Sequence, residues 1–310
     1  MTRSEFVFVV IDKLCNPLQN YRRYKGMTQE KEVVVYDEKY PTECVGQVYY
    51  DPALVGKDKP LLPVVLNIHG GGFVKGDMKY RKSLCKRYAK HGYFVFNVNY
   101  RLSPKYRFPA AIQDCCKALN YIATLAEKYN IDVNKVCVTG DSAGAYYATQ
   151  LVAVAANPEL EERIGVPIKV KPALLASFCG PYDLVKSISL TKLPFNIVWD
   201  IGRCYLDSDE YKLKKDFSNI NDYADLKYIS PIEWVNEKWC PSFLVMSGKD
   251  IFCKGQGELL KKELDECGVE NEAFASKKFL DNHCFHFNFW TKISKECFKR
   301  AFAFMDARLK

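Results

Sequence analysis

The chain has 310 residues, of which 48% are hydrophobic and 26% are charged. These proportions are typical of a globular protein and exclude a largely disordered chain. The length is sufficient for one large α/β domain with a substantial buried core.

The formal net charge is +8, and acidic residues are interspersed among the lysines and arginines along the whole chain. The densest basic stretch, YRRYK at 21–25, is short, so we predict no nucleic-acid partner.

The apolar run at 6–11 is too short for a signal-peptide core, and no run approaches the ~20 apolar residues of a membrane span. We therefore expect a cytoplasmic protein without a membrane span, and a homo-oligomer is compatible with the sequence.

The cysteines number 13, and no CxxC pair occurs among them. An odd number without repeated spacing favours reduced thiols over a disulfide framework. The segment HCFH at 283–286 contains three side chains that can ligate a metal, but no second ligand group accompanies it at a recognisable spacing. The sequence therefore predicts no metal site.

From about residue 60, short apolar runs alternate with helical patterns. The apolar runs predict buried strands at 61–68, 93–100, 135–140, 173–178 and 243–248, with a weaker sixth strand at 272–279. Apolar residues three and four apart predict helices at 79–90, 109–128, 144–156, 254–267 and 291–308. This alternation predicts an α/β fold with a mostly parallel central sheet and helices on both faces.

Residues 181–232 form an aromatic-rich insertion between two predicted strands. The insertion is too long for a simple loop in a compact domain. We expect it to fold as a helical cap over the edge of the sheet where ligands bind, within a single domain that spans residues 1–310.

The stretch VTGDSAGA at 138–145 places Ser142 between Gly140 and Gly144, after a predicted strand and before a predicted helix. Small residues suit any strand-to-helix turn. The sharper interpretation is a nucleophile elbow, a strained turn that exposes the serine hydroxyl at the end of a sheet. A serine nucleophile also needs a base and donors for the oxyanion, so other motifs must support this interpretation.

Three consecutive glycines follow His69, directly after the predicted strand 61–68. Such a run suits a flexible loop. Three glycines in a row also cost chain entropy on folding, which indicates that they serve a function. An oxyanion loop at this point would present the N–H groups of Gly71 and Gly72, with that of Ala143, to a developing negative charge.

The mechanism also requires an acid and a histidine in the chain order Ser, Asp, His. Asp250 lies just past the predicted strand 243–248. Only His283 and His286 follow the last predicted strand, and on position alone either could act as the base.

With these motifs, the chain resembles the hormone-sensitive-lipase-like family of α/β-hydrolases over roughly residues 60–310. The matching segments are HGGGFVKGD at 69–77, YRLSPKYRFPAAIQD at 100–114, GDSAGA at 140–145, YISP at 228–231, SGKD at 247–250 and HCF at 283–285. The resemblance implies an α/β-hydrolase fold, a cap that includes N-terminal helices from 1–45, and a carboxylic-ester hydrolase. Its implied site has Ser142 as nucleophile, Asp250 as acid, and Gly71, Gly72 and Ala143 as oxyanion donors.

The resemblance also favours His283 over His286, because the catalytic histidine of the family usually stands in a His-Gly-Phe sequence. In this chain Cys284 replaces that glycine. We expect structural roles for four other residues of the family motifs, namely His69, Arg101, Asp114 and Asp141. Phe73, Val74 and Tyr146 flank the reaction centre by sequence, and we expect them to line the acyl pocket.

These observations lead to the hypothesis of a serine carboxylesterase that hydrolyses small to medium esters through an acyl-enzyme, without a cofactor. Because neutral His283 acts as the base, we expect activity to fall below about pH 6. One alternative is an amide hydrolase, such as an arylacetamide deacetylase, with the same triad. Another is a non-catalytic small-molecule receptor of the same fold, although such receptors lose the catalytic histidine.

Overall fold

The computed structural model describes residues 1–20, 27–30, 33–56, 58–191, 193, 196–278 and 281–310. The basic stretch at 21–25 and the last residue of the predicted strand 272–279 lie outside the described residues.

Every strand in the described residues belongs to one sheet. The strands are β1 (Thr28–Gln29), β2 (Val34–Val35), β3 (Val45–Tyr50), β4 (Leu62–Ile68), β5 (Phe94–Val98), β6 (Ile131–Asp141), β7 (Leu174–Phe178), β8 (Ser242–Ser247) and β9 (Asn271–Ser276). Their order is β1-β3-β5-β4-β6-β7-β8-β9, and β2 also pairs with β3. All pairs from β5 to β9 are parallel, whereas β3 is antiparallel to β5 and to the short β1 and β2. The predicted mostly parallel sheet is confirmed.

The helices of the described residues occupy the gaps between these strands and both ends of the chain. They are α1 (Arg3–Gln19), α2 (Lys82–Lys90), α3 (Ala110–Tyr129), α4 (Ala143–Ala156), α5 (Pro158–Ile164), α6 (Leu184–Leu190), α7 (Ile197–Leu206), α8 (Gln256–Glu266) and α9 (Lys292–Leu309). A 3₁₀ turn at Met78–Arg81 precedes α2, so the predicted helix 79–90 consists of two consecutive elements. No described helix combines the length and the apolar character needed to cross a membrane.

Helices cover both faces of the sheet, as β4 illustrates. Val64 and Leu66 belong to the hydrophobic core under α3, α4 and α8, whereas Val65 belongs to the core under α2 and α9. Successive strand residues point to opposite faces, so a strand covered on both sides must be apolar throughout. This requirement explains why the continuous apolar runs of the sequence predicted the central strands.

The strand β3 was missed by the sequence pattern. Its burial alternates only in part, and Gly46 interrupts the apolar residues that would mark a strand. The glycine is needed because a Cβ at this position would lie 2.2 Å from the ring of Phe96 on the neighbouring β5. Close packing between neighbouring strands therefore removed the local signal that identifies a strand.

A buried ion pair joins the loop after β5 to α3. The guanidinium of Arg101 donates to both carboxylate oxygens of Asp114 over 2.7–2.9 Å, and the backbone N–H of Arg101 donates to the same carboxylate at 2.9 Å. The side chain of Asp114 is fully buried, and Arg101 is 6% exposed. The pair therefore fixes the path of the chain between a central strand and its covering helix.

Replacing Arg101 with alanine should lower the free energy of unfolding by about 3–5 kcal/mol, because the carboxylate of Asp114 would remain buried without its partner. Urea unfolding followed by circular dichroism measures this change. Lys261→Ala removes the exposed pair with Asp265 on α8 and should leave the free energy of unfolding nearly unchanged. Equal effects from the two substitutions would contradict the role assigned to the Arg101 pair.

Candidate active site

The candidate site lies at the carboxyl edge of the parallel strands. β4 leads into the glycine loop, β6 leads into Ser142, β8 precedes Asp250, and β9 precedes the loop that carries His283. The carboxyl ends of parallel strands share one edge of a sheet, so these segments converge although they are distant in sequence.

Ser142 occupies a strained turn between β6 and α4. Its φ is 54° and its ψ is −122°, a combination that non-glycine residues rarely adopt. Its backbone N–H donates to the carbonyl of Phe178 on β7 at 2.9 Å. The flanking glycines are required by space, since a Cβ at Gly140 would lie 2.4 Å from the backbone of Gly144, and one at Gly144 would lie 2.1 Å from the carbonyl oxygen of Ile68. These features are those expected of a nucleophile elbow.

The carboxylate of Asp250 contacts the imidazole of His283. The Nδ1 atom of His283 lies 2.9 Å and 2.8 Å from the two carboxylate oxygens. The carboxylate also accepts the backbone N–H groups of Phe252 and Cys253, each at 2.8 Å. Asp250 is therefore fixed by backbone donors, and its contact with Nδ1 leaves Nε2 as the ring nitrogen that is available for a reaction.

This pairing shifts the pKa values of both groups. Burial would lower the pKa of His283, but the negative charge and hydrogen bond of Asp250 outweigh burial and raise it to about 9. Burial would raise the pKa of Asp250, but the His283 contact and the backbone donors hold that pKa below its usual value. The arrangement therefore stabilises an imidazolium next to a carboxylate, as a general base requires after it has accepted a proton.

His286 lies in a different environment. Its side chain is 1% exposed, and neither ring nitrogen has a hydrogen-bond partner in the described residues. The ring packs against Phe178 and Phe287, with ring centroids 4.6 Å and 4.2 Å away. Burial lowers the pKa of His286 to about 3. Only His283 is therefore brought into contact with the predicted acid.

The glycine loop lies directly against the turn of Ser142. A Cβ at Gly70 would lie 2.5 Å from the carboxylate of Asp141 and 2.9 Å from the Cβ of Ser142. Gly71 and Gly72 have φ values of 144° and 59°, which favour glycine. Within the described part of the chain, neither of their N–H groups donates to another protein group. The N–H of Ala143, at the first position of α4, is likewise not used within that helix.

Contacts of the His69 side chain stabilise this glycine loop. Its Nδ1 lies 2.9 Å from the carbonyl oxygen of Gly70, and its ring stacks on Tyr100 with centroids 4.5 Å apart. The hydroxyl of Tyr100 donates to the carbonyl of His69 at 2.7 Å. Burial lowers the pKa of His69 to about 4, so the ring remains neutral. These contacts match the structural role expected for His69.

A second buried ion pair, which sequence reasoning missed, joins Arg81 to Asp141. The Nε and Nη2 atoms of Arg81 donate to the two carboxylate oxygens, each over 2.6 Å. Burial would raise the pKa of Asp141, but Arg81 holds it below its usual value. A basic residue within a predicted helix carries no sequence signal for such a contact. The pair anchors the residue that precedes Ser142.

An apolar pocket opens beside Ser142 and Ala143. Side chains of α1, α6 and α7 form its outer wall: Phe8, Leu184, Val185, Ile188, Ile201 and Tyr205. The sequence did not identify these residues individually as pocket residues. Of the three predicted pocket residues, Phe73 lines the pocket. Val74 instead packs behind the wall with Phe8 and Cys204, and Tyr146 supports Phe73 with ring centroids 5.2 Å apart.

Polar contacts tie α1 to the rest of this wall. The backbone N–H and the hydroxyl of Ser4 both donate to Asp200 on α7, each at 2.7 Å. Glu5 forms an ion pair with Lys75, which follows the glycine loop, at 3.0 Å. A Cβ at Gly72 would lie 2.1 Å from the ring of Phe8. The helix α1 therefore contacts both the wall helix α7 and the glycine loop.

The sheet order and the motifs at its carboxyl edge define an α/β-hydrolase of the hormone-sensitive-lipase-like class, as the resemblance implied. A family model described as BD-FAE matches residues 50–264, which is more than half of the chain. The chain belongs to the BD-FAE family.

Individual relatives agree with this assignment. Esterase LipI of Mycobacterium tuberculosis is 37% identical over 103 residues, which are 33% of this chain and 32% of the relative. Ethyl acetate hydrolase of Pseudomonas putida is 39% identical over 112 residues, which are 36% of this chain and 33% of the relative. The chain thus matches about a third of the length of these curated relatives.

Among solved structures, Esterase B from Lactobacillus rhamnosis superposes with a TM-score of 0.78 at 22% identity, covering 98% of this chain and 95% of that one. At this identity the likeness establishes the shared fold.

Removing the carboxylate of Asp250 should lower the pKa of His283 well below about 9, because the negative partner is lost while burial still favours the neutral ring. An NMR titration of the histidine ring signals in Asp250→Asn measures this shift. The control Asp306→Asn removes the carboxylate that contacts His91 and should leave the titration of His283 unchanged. A His283 titration that is the same in wild type and Asp250→Asn would refute the pairing.

Proposed function

We propose that the protein is a serine carboxylesterase that hydrolyses small to medium carboxylic esters through an acyl-enzyme. Two contacts at one edge of the sheet carry this proposal: that of Asp250 with His283, and that of the glycine loop with the strained turn of Ser142. A nucleophile, an oriented base and unpaired backbone donors are the groups that acyl transfer requires.

In the first half of the reaction, the Oγ atom of Ser142 attacks the carbonyl carbon of the ester. Nε2 of His283 accepts the hydroxyl proton, and Asp250 holds the ring orientation and stabilises the imidazolium. The N–H groups of Gly71, Gly72 and Ala143 stabilise the oxyanion of the tetrahedral intermediate. Each such donor contributes about 3 kcal/mol to lowering the barrier.

The intermediate collapses when His283 returns the proton to the leaving alcohol, which leaves an acyl group on Ser142. Water then attacks the acyl carbon, and His283 accepts a proton from that water. The second intermediate releases the carboxylic acid and restores the hydroxyl of Ser142. The mechanism requires no cofactor, since every proton transfer passes through His283.

The substrate class follows from the pocket beside Ser142. Its lining is largely apolar, as is usual for sites that bind small organic molecules. We propose that α1 and the segment 181–232 act as a cap over this pocket and that Phe73 forms part of the acyl wall. The relative named ethyl acetate hydrolase supports small esters as the first substrates to test.

The two alternatives differ from this proposal in testable ways. A non-catalytic receptor needs no base, whereas His283 contacts a fixed carboxylate in this chain. An amide hydrolase would use the same groups but must expel an amine, a poorer leaving group than an alcohol. We therefore favour an ester substrate. Activity assays separate the esterase, the amide hydrolase and the receptor.

The wild-type protein should hydrolyse nitrophenyl esters across a series from acetate to laurate, with the shorter acyl chains preferred. Ser142→Ala and His283→Ala should each lower kcat by at least about 10⁴-fold, because either change disables the nucleophile. His286→Ala should retain most activity, since the ring of His286 does not contact Asp250. Initial rates at saturating substrate measure these effects, and circular dichroism establishes that each variant is folded.

Full activity in Ser142→Ala would refute the mechanism. An inactive His286→Ala together with an active His283→Ala would reverse only the histidine assignment. Faster turnover of nitroanilides than of the matching esters would favour the amide hydrolase, and ligand binding without turnover in the wild type would favour the receptor.

The pH dependence follows from the pairing of His283 with Asp250. The base must be neutral, and a raised pKa means that the neutral imidazole becomes populated only at higher pH. The value of kcat/KM should therefore keep rising with pH towards about pH 9. For a free imidazole as the base, the same rise is expected near pH 6. A pH–rate profile with nitrophenyl acetate measures this rise. A midpoint at or below pH 6 would contradict the effect of the buried carboxylate.

A further inference from the structure

A second cluster of reactive side chains lies beside the candidate triad. Cys179 follows β7, while Cys284 and His286 lie in the loop after β9 that also carries His283. The Sγ atoms of the two cysteines and a ring nitrogen of His286 lie within 4.8 Å of one another. Cys179 supplies the second ligand group that was not recognisable in the sequence, because the fold brings it to HCFH from a distant segment.

Two independent features set this cluster apart from ordinary buried thiols. His286 is 1% exposed, yet neither of its ring nitrogens has a hydrogen-bond partner in the described residues. Buried polar groups without partners are rare and call for a ligand or another explanation. In addition, Cys179 and Cys284 have φ values of 56° and 54°, in the left-handed region that favours glycine. The chain therefore holds thiols at two positions where glycine would fit with less strain.

The geometry and ligand types suit a thiophilic cation. Zinc binds thiolate sulfur at about 2.3 Å and imidazole nitrogen at about 2.0–2.1 Å, which places tetrahedral ligand atoms roughly 3.5–3.8 Å apart. Small side-chain movements would therefore close the cluster around the ion. Cys179 is 4% exposed and Cys284 is half-buried, so the ion would enter from the side of Cys284.

The charged groups around the cluster include two ion pairs. Burial, the Cys179 thiol and the negative charges of Asp141 and Asp250 all raise the pKa of the Cys284 thiol. The Cys284 thiol is thus protonated in the free protein and must lose this proton to bind a metal ion. Arg81 is paired with Asp141, and His283 is paired with Asp250.

We propose that Cys179, Cys284 and His286 bind one Zn²⁺ ion and that this binding inhibits the enzyme. The two thiols release their protons to solvent as the Zn–S bonds form, and His286 contributes a nitrogen lone pair. Because Cys284 directly follows His283, closing the ligands around the ion pulls the His283 turn away from its position beside Asp250. The inhibitory effect rests on the proposed esterase function, whereas the binding does not.

Equilibrium dialysis of the reduced full-length protein against Zn²⁺, after treatment with a chelator, tests the site directly. The wild type should bind one Zn²⁺ through this cluster. Cys284→Gly should weaken that binding by at least about 100-fold, and glycine suits the backbone at this position, so the variant should remain folded. Cys179→Ser should have the same effect. Titration with Cd²⁺ should produce ultraviolet thiolate-to-cadmium absorption in the wild type that both variants lose.

Cys253→Ser is the matched control, because Cys253 belongs to a different cluster with Asp250 and His283. This variant should bind Zn²⁺ like the wild type. Undiminished binding in Cys284→Gly, or loss of binding only in Cys253→Ser, would overturn the proposed site.

Inhibition is tested separately with nitrophenyl acetate. Zn²⁺ should inhibit the wild type, a chelator should restore its activity, and Cys284→Gly should resist inhibition relative to its own metal-free rate. Zinc binding without inhibition would overturn the inhibitory role. If the wild type hydrolysed no ester, the proposed function would fail, while dialysis and cadmium absorption would still decide whether the metal site exists.

Discussion

The arrangement of the candidate site depends on one close backbone contact, between the loop that leaves β4 and the turn that leaves β6. A hydrogen atom is all that fits at Gly70 and Gly144, since a Cβ at either position would overlap the opposite segment at 2.5 Å or less. The proposed oxyanion donors and Ser142 therefore cannot shift independently. The Arg81–Asp141 ion pair also fixes this turn. The proposed donors and the proposed nucleophile are thus held in place before any substrate arrives, which is the condition for electrostatic stabilisation of a transition state.

The loop after β9 carries His283 and His286, which differ above all in their hydrogen-bond partners. Burial depresses the pKa of both rings, but only His283 has a carboxylate at Nδ1 that reverses the effect. The contact with His283 and the backbone donors to Asp250 hold the pKa of this carboxylate below its usual value. The loop therefore carries one imidazole suited to accept a proton and another, three residues later, that remains neutral. Two identical side chains acquire different chemistry from their surroundings alone.

The sequence was sufficient to predict the central strands, the covering helices and the motifs at the carboxyl edge. Strands buried on both faces are continuously apolar, and glycines mark the places where backbones touch. It was not sufficient for Arg81 or Cys179, whose partners lie in distant segments and leave no local pattern. The strand β3 was missed because Gly46 makes room for Phe96 and so interrupts the apolar alternation. The raised pKa of His283 was likewise beyond the sequence, because its contact with Asp250 depends on the fold.

The helix α1 forms part of the pocket wall and also contacts the glycine loop, and these two roles oppose each other. Through Ser4 it is joined to α7 in the pocket wall, and through Glu5 and Phe8 it contacts the segment that contains Gly72. Widening the pocket for a bulkier ester would move α1 outwards and withdraw the support that Phe8 gives to Gly72. If the proposed function holds, a larger range of substrates would thus come at the expense of rate, and changes in α1 would affect selectivity and turnover together.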